Sequence, residues 1–181
     1  MKETKLTSPP FSLLLDKGVV RRIYEFQVRI AKGATPTPLQ AEAVKVWLKL
    51  RRLTEQLYIA QESANLLHLR PPRYTNVILQ NTKTLRKARY LRRWARRLRG
   101  FVFTREDAAI VASGSFGLDV ETGKLGVEYI VTTDIAMVTN FNTRFTEIKH
   151  RFEQMVINLP VPYQQATLPQ VITPQTTLTQ W

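Results

Sequence analysis

The chain contains no cysteine and only two histidines, His68 and His150, far apart in sequence. Disulfides, thiolate zinc sites, cysteine nucleophiles and iron–sulfur clusters are thereby excluded, and any metal has to be held by oxygen. No run of eighteen or more apolar residues occurs, and the N-terminal MKETKLTSPP lacks an apolar core. Neither a spanning helix nor a signal peptide is readable, so a cytoplasmic protein with no membrane partner is expected. A Walker-type phosphate loop, a dinucleotide fingerprint and a nucleophile elbow are missing as well. Acids are scarce: 14 Asp and Glu stand against 27 Lys and Arg, a formal net charge of +13. The natural counterpart of such a surface is a polyanion, with nucleic acid, above all RNA, ahead of anionic membrane.

What is present is enough for one continuous core, since 181 residues are 44% hydrophobic. Phe11 to Leu15 read as a strand ending in Asp16, and VVRRIYEFQVRIAKG after Gly18 reads as a helix. Pro38 opens a second helix with Ala43, Val46, Trp47, Leu50 and Leu53 on one face. LYIA is a strand, QESANLLHL a short helix, and RYTNVILQNT stays open between loop and short helix. Lys83 to Arg99 place Leu85, Ala88, Leu91, Ala95 and Leu98 at helical spacing. FVF then reads as a strand, TREDAAIVASGS as a helix capped by Thr104, EYIVTTD as a strand, residues 143–155 as a helix and VINLP as a last strand. Five strands alternating with helices imply a three-layer α/β/α sandwich around a parallel sheet. Residues 161–181 carry no charge and are mostly Pro, Gln and Thr, which marks a domain boundary near Pro160. That segment is either a disordered tail or an arm whose Tyr163, Leu168, Val171, Ile172 and Trp181 pack on a protein partner or on a second copy of the chain.

Only four aspartates occur, and three of them, Asp16, Asp107 and Asp134, fall at or just beyond the carboxyl end of an expected strand. In open parallel sheets ligands bind there, beside the point where strand order reverses. Carboxylates gathered without positive neighbours call for a hard divalent cation, Mg²⁺ or Mn²⁺. Asp16 and Asp134 can equally serve as ordinary caps of the helices that follow.

LLLDKGVV, TREDAAIVASGS and EYIVTTD, in this order and with a basic segment before the second, resemble the PIN-domain nucleases over roughly residues 10–160. Many members of that family are toxin components of toxin–antitoxin pairs, so the resemblance implies an antitoxin or other protein partner. It also implies a parallel sheet of about five strands and RNA cleavage with Mg or Mn held by an acidic cluster. Matched by motif, Asp16 is the first acid, Asp107 the acid opening the later helix, Asp134 the acid after the Thr-containing strand, and Thr132 the residue that orients an aspartate or the attacking water. Lys17 and Gly18 stand where the family usually has a small polar residue and Asn. The family's helical glutamate is expected near Asn65 and Leu66, and Glu62, one turn earlier, is the substitute; Glu55 would fall at the wrong end of a parallel sheet.

The basic segment holds Lys83, Arg86, Lys87, Arg89, Arg92, Arg93, Arg96, Arg97 and Arg99 and no acid. Like charges three or four apart destabilise a helix, so an anionic partner is expected to stabilise it. Arginine offers bidentate phosphate contacts, and the interleaved Tyr90 and Trp94 either stack on bases or belong to the core. The leading expectation is a Mg- or Mn-dependent endoribonuclease gripping RNA with this segment. The alternative is a weak or inactive PIN-like RNA-binding protein within a larger assembly. A phosphorylation switch on an acid pocket fits neither the charge nor the motif order.

Overall fold

The computed structural model describes residues 11–181; Met1 to Pro10 lie outside it. The chain runs through β1 (Leu13–Leu15), α1 (Lys17–Ala31), α2 (Pro38–Leu53), β2 (Leu57–Ala60), α3 (Gln61–His68), α4 (Pro72–Leu79), β3 (Lys83–Lys87), α5 (Leu91–Leu98), α6 (Arg105–Phe116), β4 (Gly117–Leu118), β5 (Tyr129–Val131), α7 (Ile135–Thr143), α8 (Phe145–Val156), β6 (Gln170–Ile172) and α9 (Pro174–Gln180). The strands form one sheet in the order β4-β3-β2-β1-β5-β6, all parallel except β4, which runs antiparallel to β3. The expected α/β/α sandwich is therefore what forms.

Because side chains alternate across a strand, each short apolar run feeds both layers. Leu13, Leu15, Leu57 and Ile59 pack with residues of α1, α2, α3 and α4 on one face. Leu14, Tyr58, Ile130 and Val171 pack with α5, α6, α7 and α8 on the other. The helices start at local signals: Thr37 and Gln40 form a capping box before Pro38, as Thr104 and Asp107 do for α6.

Four sequence expectations are corrected. Lys83 to Arg99 is not one helix. Lys83–Lys87 adds to the open edge of β2, with Leu85 alone pointing fully into the core, and the helix begins only at Leu91. A strand tolerates the basic run better, because it sends successive charges to opposite sides. FVF is no strand. A 3-10 turn ends at Phe101, and Val102, at φ 65°, turns the chain so that α6 packs back on α5. VINLP is no strand either, since α8 runs to Val156 and the sheet position is taken by β6. The boundary near Pro160 disappears with it. Val171 and Ile172 are buried in the sheet, Thr173 caps α9 ahead of Pro174, and Trp181 stacks on Phe11 with ring centroids 4.5 Å apart. The arm residues pack on this chain's own core. RYTNVILQNT resolves as α4.

At the amino end of the strands a polar cluster joins distant segments. The Lys124 ammonium donates to Ser12 Oγ (3.0 Å), Gln56 Oε1 (2.9 Å) and Glu128 Oε1 (3.3 Å), and Ser12 in turn donates its N–H to Glu128 (2.6 Å). The fourth aspartate, Asp119, is 2% exposed and accepts from the Tyr58 hydroxyl (2.8 Å), the Thr122 hydroxyl (2.9 Å) and the Glu121 N–H (3.0 Å). Burial alone would raise its carboxyl, but those bonds and the nearby Lys83 hold it below the usual value. The loop closes at Gly126, φ 73°, where a Cβ would come 2.8 Å from the carbonyl oxygens of Gly114 and Ser115.

Candidate functional site at the carboxyl edge of the sheet

Strand order runs outward from β1 through β2 to β3 and then returns to the other side of β1 at β5. The crevice between the carboxyl ends of β1 and β5 is thus the switch point at which ligands bind in open α/β sheets. Asp16 follows β1 directly, and Thr132 follows β5. Asp16 caps α1 through the Lys17 N–H (2.6 Å), and its other oxygen accepts from the fully buried Thr132 hydroxyl (2.9 Å). Thr132 Oγ1 accepts in turn from the Asp134 N–H (3.1 Å), while the Asp134 carboxylate caps α7 through the Met137 N–H (2.9 Å). Both capping roles and the link between the two aspartates are therefore present at once.

The Asp16 carboxyl lies above its ordinary value. Burial is the chief cause, opposed by the Thr132 hydroxyl and the Lys17 and Gly18 amides and reinforced by the charge of Asp107. Asp107 thus acts on Asp16 although it follows no strand. It sits in the first turn of α6, where its carboxylate accepts from the Thr104 N–H (3.3 Å). A Cβ at Gly18 would stand 3.0 Å from the Thr133 hydroxyl, a tight contact.

A cavity of about 390 Å³ opens beside Asp16, walled by Glu62 and Ser63 of α3 and by Arg105, Glu106 and Ala109 of α6. Asp107 and Asp134 do not line it, and neither does Asn65, which bonds Gln61 instead (3.0 Å). Glu106 was missed by the sequence reading: adjacent acids in TREDAA point about 100° apart around a helix, and only the docking of α6 decides which one faces the cavity. Glu62 and Glu106 are each paired, with Lys87 and Lys17 respectively. Glu55 lies in a different cavity, with Arg51 and Lys83. Among the described residues, no three His, Cys, Asp or Glu gather into a set that could hold a metal ion. The donors around the cavity are oxygens, which suits Mg²⁺ or Mn²⁺ in kind. As spaced, with a lysine on each glutamate, they do not form a cage.

The acidic cavity continues into a second of about 520 Å³ that shares Glu62, Arg105, Ala109 and Ser113 with it and is otherwise lined by Lys87, Arg92, Arg96 and Arg99 alongside Leu91 and Ala95. Of the basic residues singled out from sequence, four therefore meet in one trough. Arg86 and Arg89 are exposed outside it, Arg89 lying over the Tyr90 ring at 5.5 Å, and Lys83 pairs with Glu121 at 3.4 Å. Trp94 belongs to the core, fully buried edge-on to Phe152 at 5.1 Å, so it offers no face to a base.

No family model matches this chain, and neither does any curated protein. Among solved structures it is similar to PAE2754 from Pyrobaculum aerophilum, with 15% identity over 81% of this chain and 96% of that one and a TM-score of 0.41. No helix among the described residues is long and apolar enough to cross a membrane.

Proposed function

We propose that this protein is a PIN-like ribonuclease that lays an RNA backbone along the trough lined by Lys87, Arg92, Arg96, Arg99 and Arg105 and presents a phosphodiester to Asp16. The observation that carries the reading is the continuity of that basic trough with the cavity beside Asp16. The arginines supply sequence-independent phosphate contacts. Asp16 sits at the switch point with its carboxyl raised by burial, so a positive ligand would be stabilised there. Thr132 is a positioning residue, since its buried hydroxyl fixes Asp16. The oxygens nearest the cavity are those of Asp16, Glu62 and Glu106, and with Lys87 and Lys17 on the two glutamates they do not cage a divalent cation as spaced.

The test is cleavage of a structured RNA pool in Mg²⁺ and in Mn²⁺ by wild type, Asp16→Asn and Asp134→Asn, with RNA affinity measured in parallel. Asp16→Asn is expected to lose about 10²-fold or more in rate while binding RNA unchanged. Equal rates in all three proteins would remove the nuclease reading. A second reading, RNA binding without cleavage, is favoured by the lysines on Glu62 and Glu106. Its signature is tight binding by wild type with no metal-dependent product.

A further inference from the structure

Helix α5 carries more arginine than the trough uses. With 3.6 residues per turn, Arg92, Arg96 and Arg99 fall within roughly 60° of one another and form one row, the row in the trough. Arg93 and Arg97 form a second row, turned roughly 115° from the first. The buried stripe Leu91, Trp94 and Leu98 faces the core behind both. The contact of Trp94 with Phe152 seats α5 against α8 and brings Arg151, the residue before Phe152, beside the second row. Its closeness is felt in Arg97, whose guanidinium is held below its usual value by partial burial and then by the charges of Arg151 and Arg93.

None of these six arginines has an ion-pair partner among the described residues. The nearby acids of α8, Glu147 and Glu153, are taken by Arg144 (3.9 Å) and Lys149 (3.8 Å). Three arginines gathered with no acid between them repel one another, and a phosphate row relieves that repulsion. The exposed half of α5 is thus a low ridge with a row of arginines on each flank.

Building on the reading of the trough as an RNA site, the geometry points to base-paired RNA as the substrate class. Arg92, Arg96 and Arg99 hold the strand that leads to Asp16, and Arg93, Arg97 and Arg151 hold the complementary strand across the groove. A single strand has one row of phosphates and can satisfy one flank only. Because the back of α5 is buried, the ridge is shallow. It suits the wide, shallow minor groove of A-form RNA better than a deep groove that a fully projecting helix would enter.

The test is fluorescence anisotropy with a fully paired RNA duplex, each of its single strands and a DNA duplex of the same sequence, at several salt concentrations and with EDTA present so that cleavage plays no part. Wild type is expected to favour the RNA duplex over the single strands by about tenfold, with a steeper salt dependence. Arg93→Gln/Arg97→Gln/Arg151→Gln should lose that preference and flatten the duplex salt slope by ~3, while single-strand affinity stays within about twofold. Arg93→Gln/Arg151→Gln leaves the half-buried Arg97 in place and is expected to reproduce most of the effect if the triple variant is unstable. Equal binding of duplex and single strands by wild type, an equal loss on both in the triple variant, or DNA duplex bound as tightly as RNA duplex would each overturn the assignment. If no RNA binds at all, the trough reading falls too. If RNA binds through Arg92, Arg96 and Arg99 without duplex preference, the second row alone is refuted.

Discussion

The two ends of the sheet treat their acids in opposite ways. At the amino end Asp119 is almost completely buried, yet every neighbour donates to it, and its carboxyl lies below the usual range. At the carboxyl end Asp16 is only half-buried and has donors too, yet burial and a second carboxylate hold it above that range. Burial pushes both carboxyls up; at Asp119 the donors and Lys83 outweigh it, whereas at Asp16 the Thr132, Lys17 and Gly18 donors do not. The satisfied acid locks a loop, and the acid left short of positive charge is the one in a position to meet a ligand.

The contrast breaks most visibly at Asp119. Asp119→Ala strands the Tyr58 hydroxyl in the core and should cost about 3 kcal/mol in urea denaturation; a loss below 1 kcal/mol would show the loop to be held by Gly126 and the backbone instead.

The signs of pH dependence sharpen it next. Because the folded-state value of Asp119 is depressed, its stabilisation is present above the unfolded value near 3.9 and is lost as pH falls through the folded one. For Asp16, raised in the fold, the contribution is complete below that unfolded value and is lost as pH rises through the folded one, leaving a cost at neutral pH. Asp16→Asn, which can still cap α1, should therefore raise Tm at pH 7 by on the order of 2 °C, with the gain vanishing toward pH 3. Asp119→Asn should lower it at pH 7. Thermal melts of both variants across pH 3–8 decide the matter, and a loss of Tm at pH 7 in Asp16→Asn would place both acids in the same structural class.

The smallest effect is expected at Lys124, half-exposed in its cluster. Lys124→Met should cost roughly 1 kcal/mol or less, and the cost should shrink in high salt.

Much of this was legible before folding. The runs LLL, LYIA and YIV declare themselves by β-branched and apolar content, and Asp16, Thr132 and Asp134 follow from them because a strand's end fixes what stands beyond it. Two of the errors share a cause, a local pattern outvoted by the sheet's need for an edge strand. Leu85 and Ala88 have helical spacing to Leu91, but the open side of β2 claims Lys83–Lys87 as a strand. Val171 and Ile172 lie in uncharged, proline-rich sequence that looks like a tail, and the Thr173–Pro174 helix start was the overlooked signal. Glu106 was illegible because helix rotation relative to a cavity is a tertiary property. So was the pairing of Arg151 with α5, which depends on how Trp94 meets Phe152.

The late position of β6 has a consequence for the making of the chain. β5 is sandwiched between β1 and β6, so its outer row of amides and carbonyls has no strand partner until Gln170–Ile172 has emerged. Domains assemble from the N-terminal side during synthesis, at about 5–20 residues per second, and an unpaired edge is a template for other chains. Until β6 has emerged the nascent protein carries a nearly complete sheet with one sticky side. A ribosome that stalls or terminates before Gln170 releases an aggregation-prone product and not a smaller folded domain.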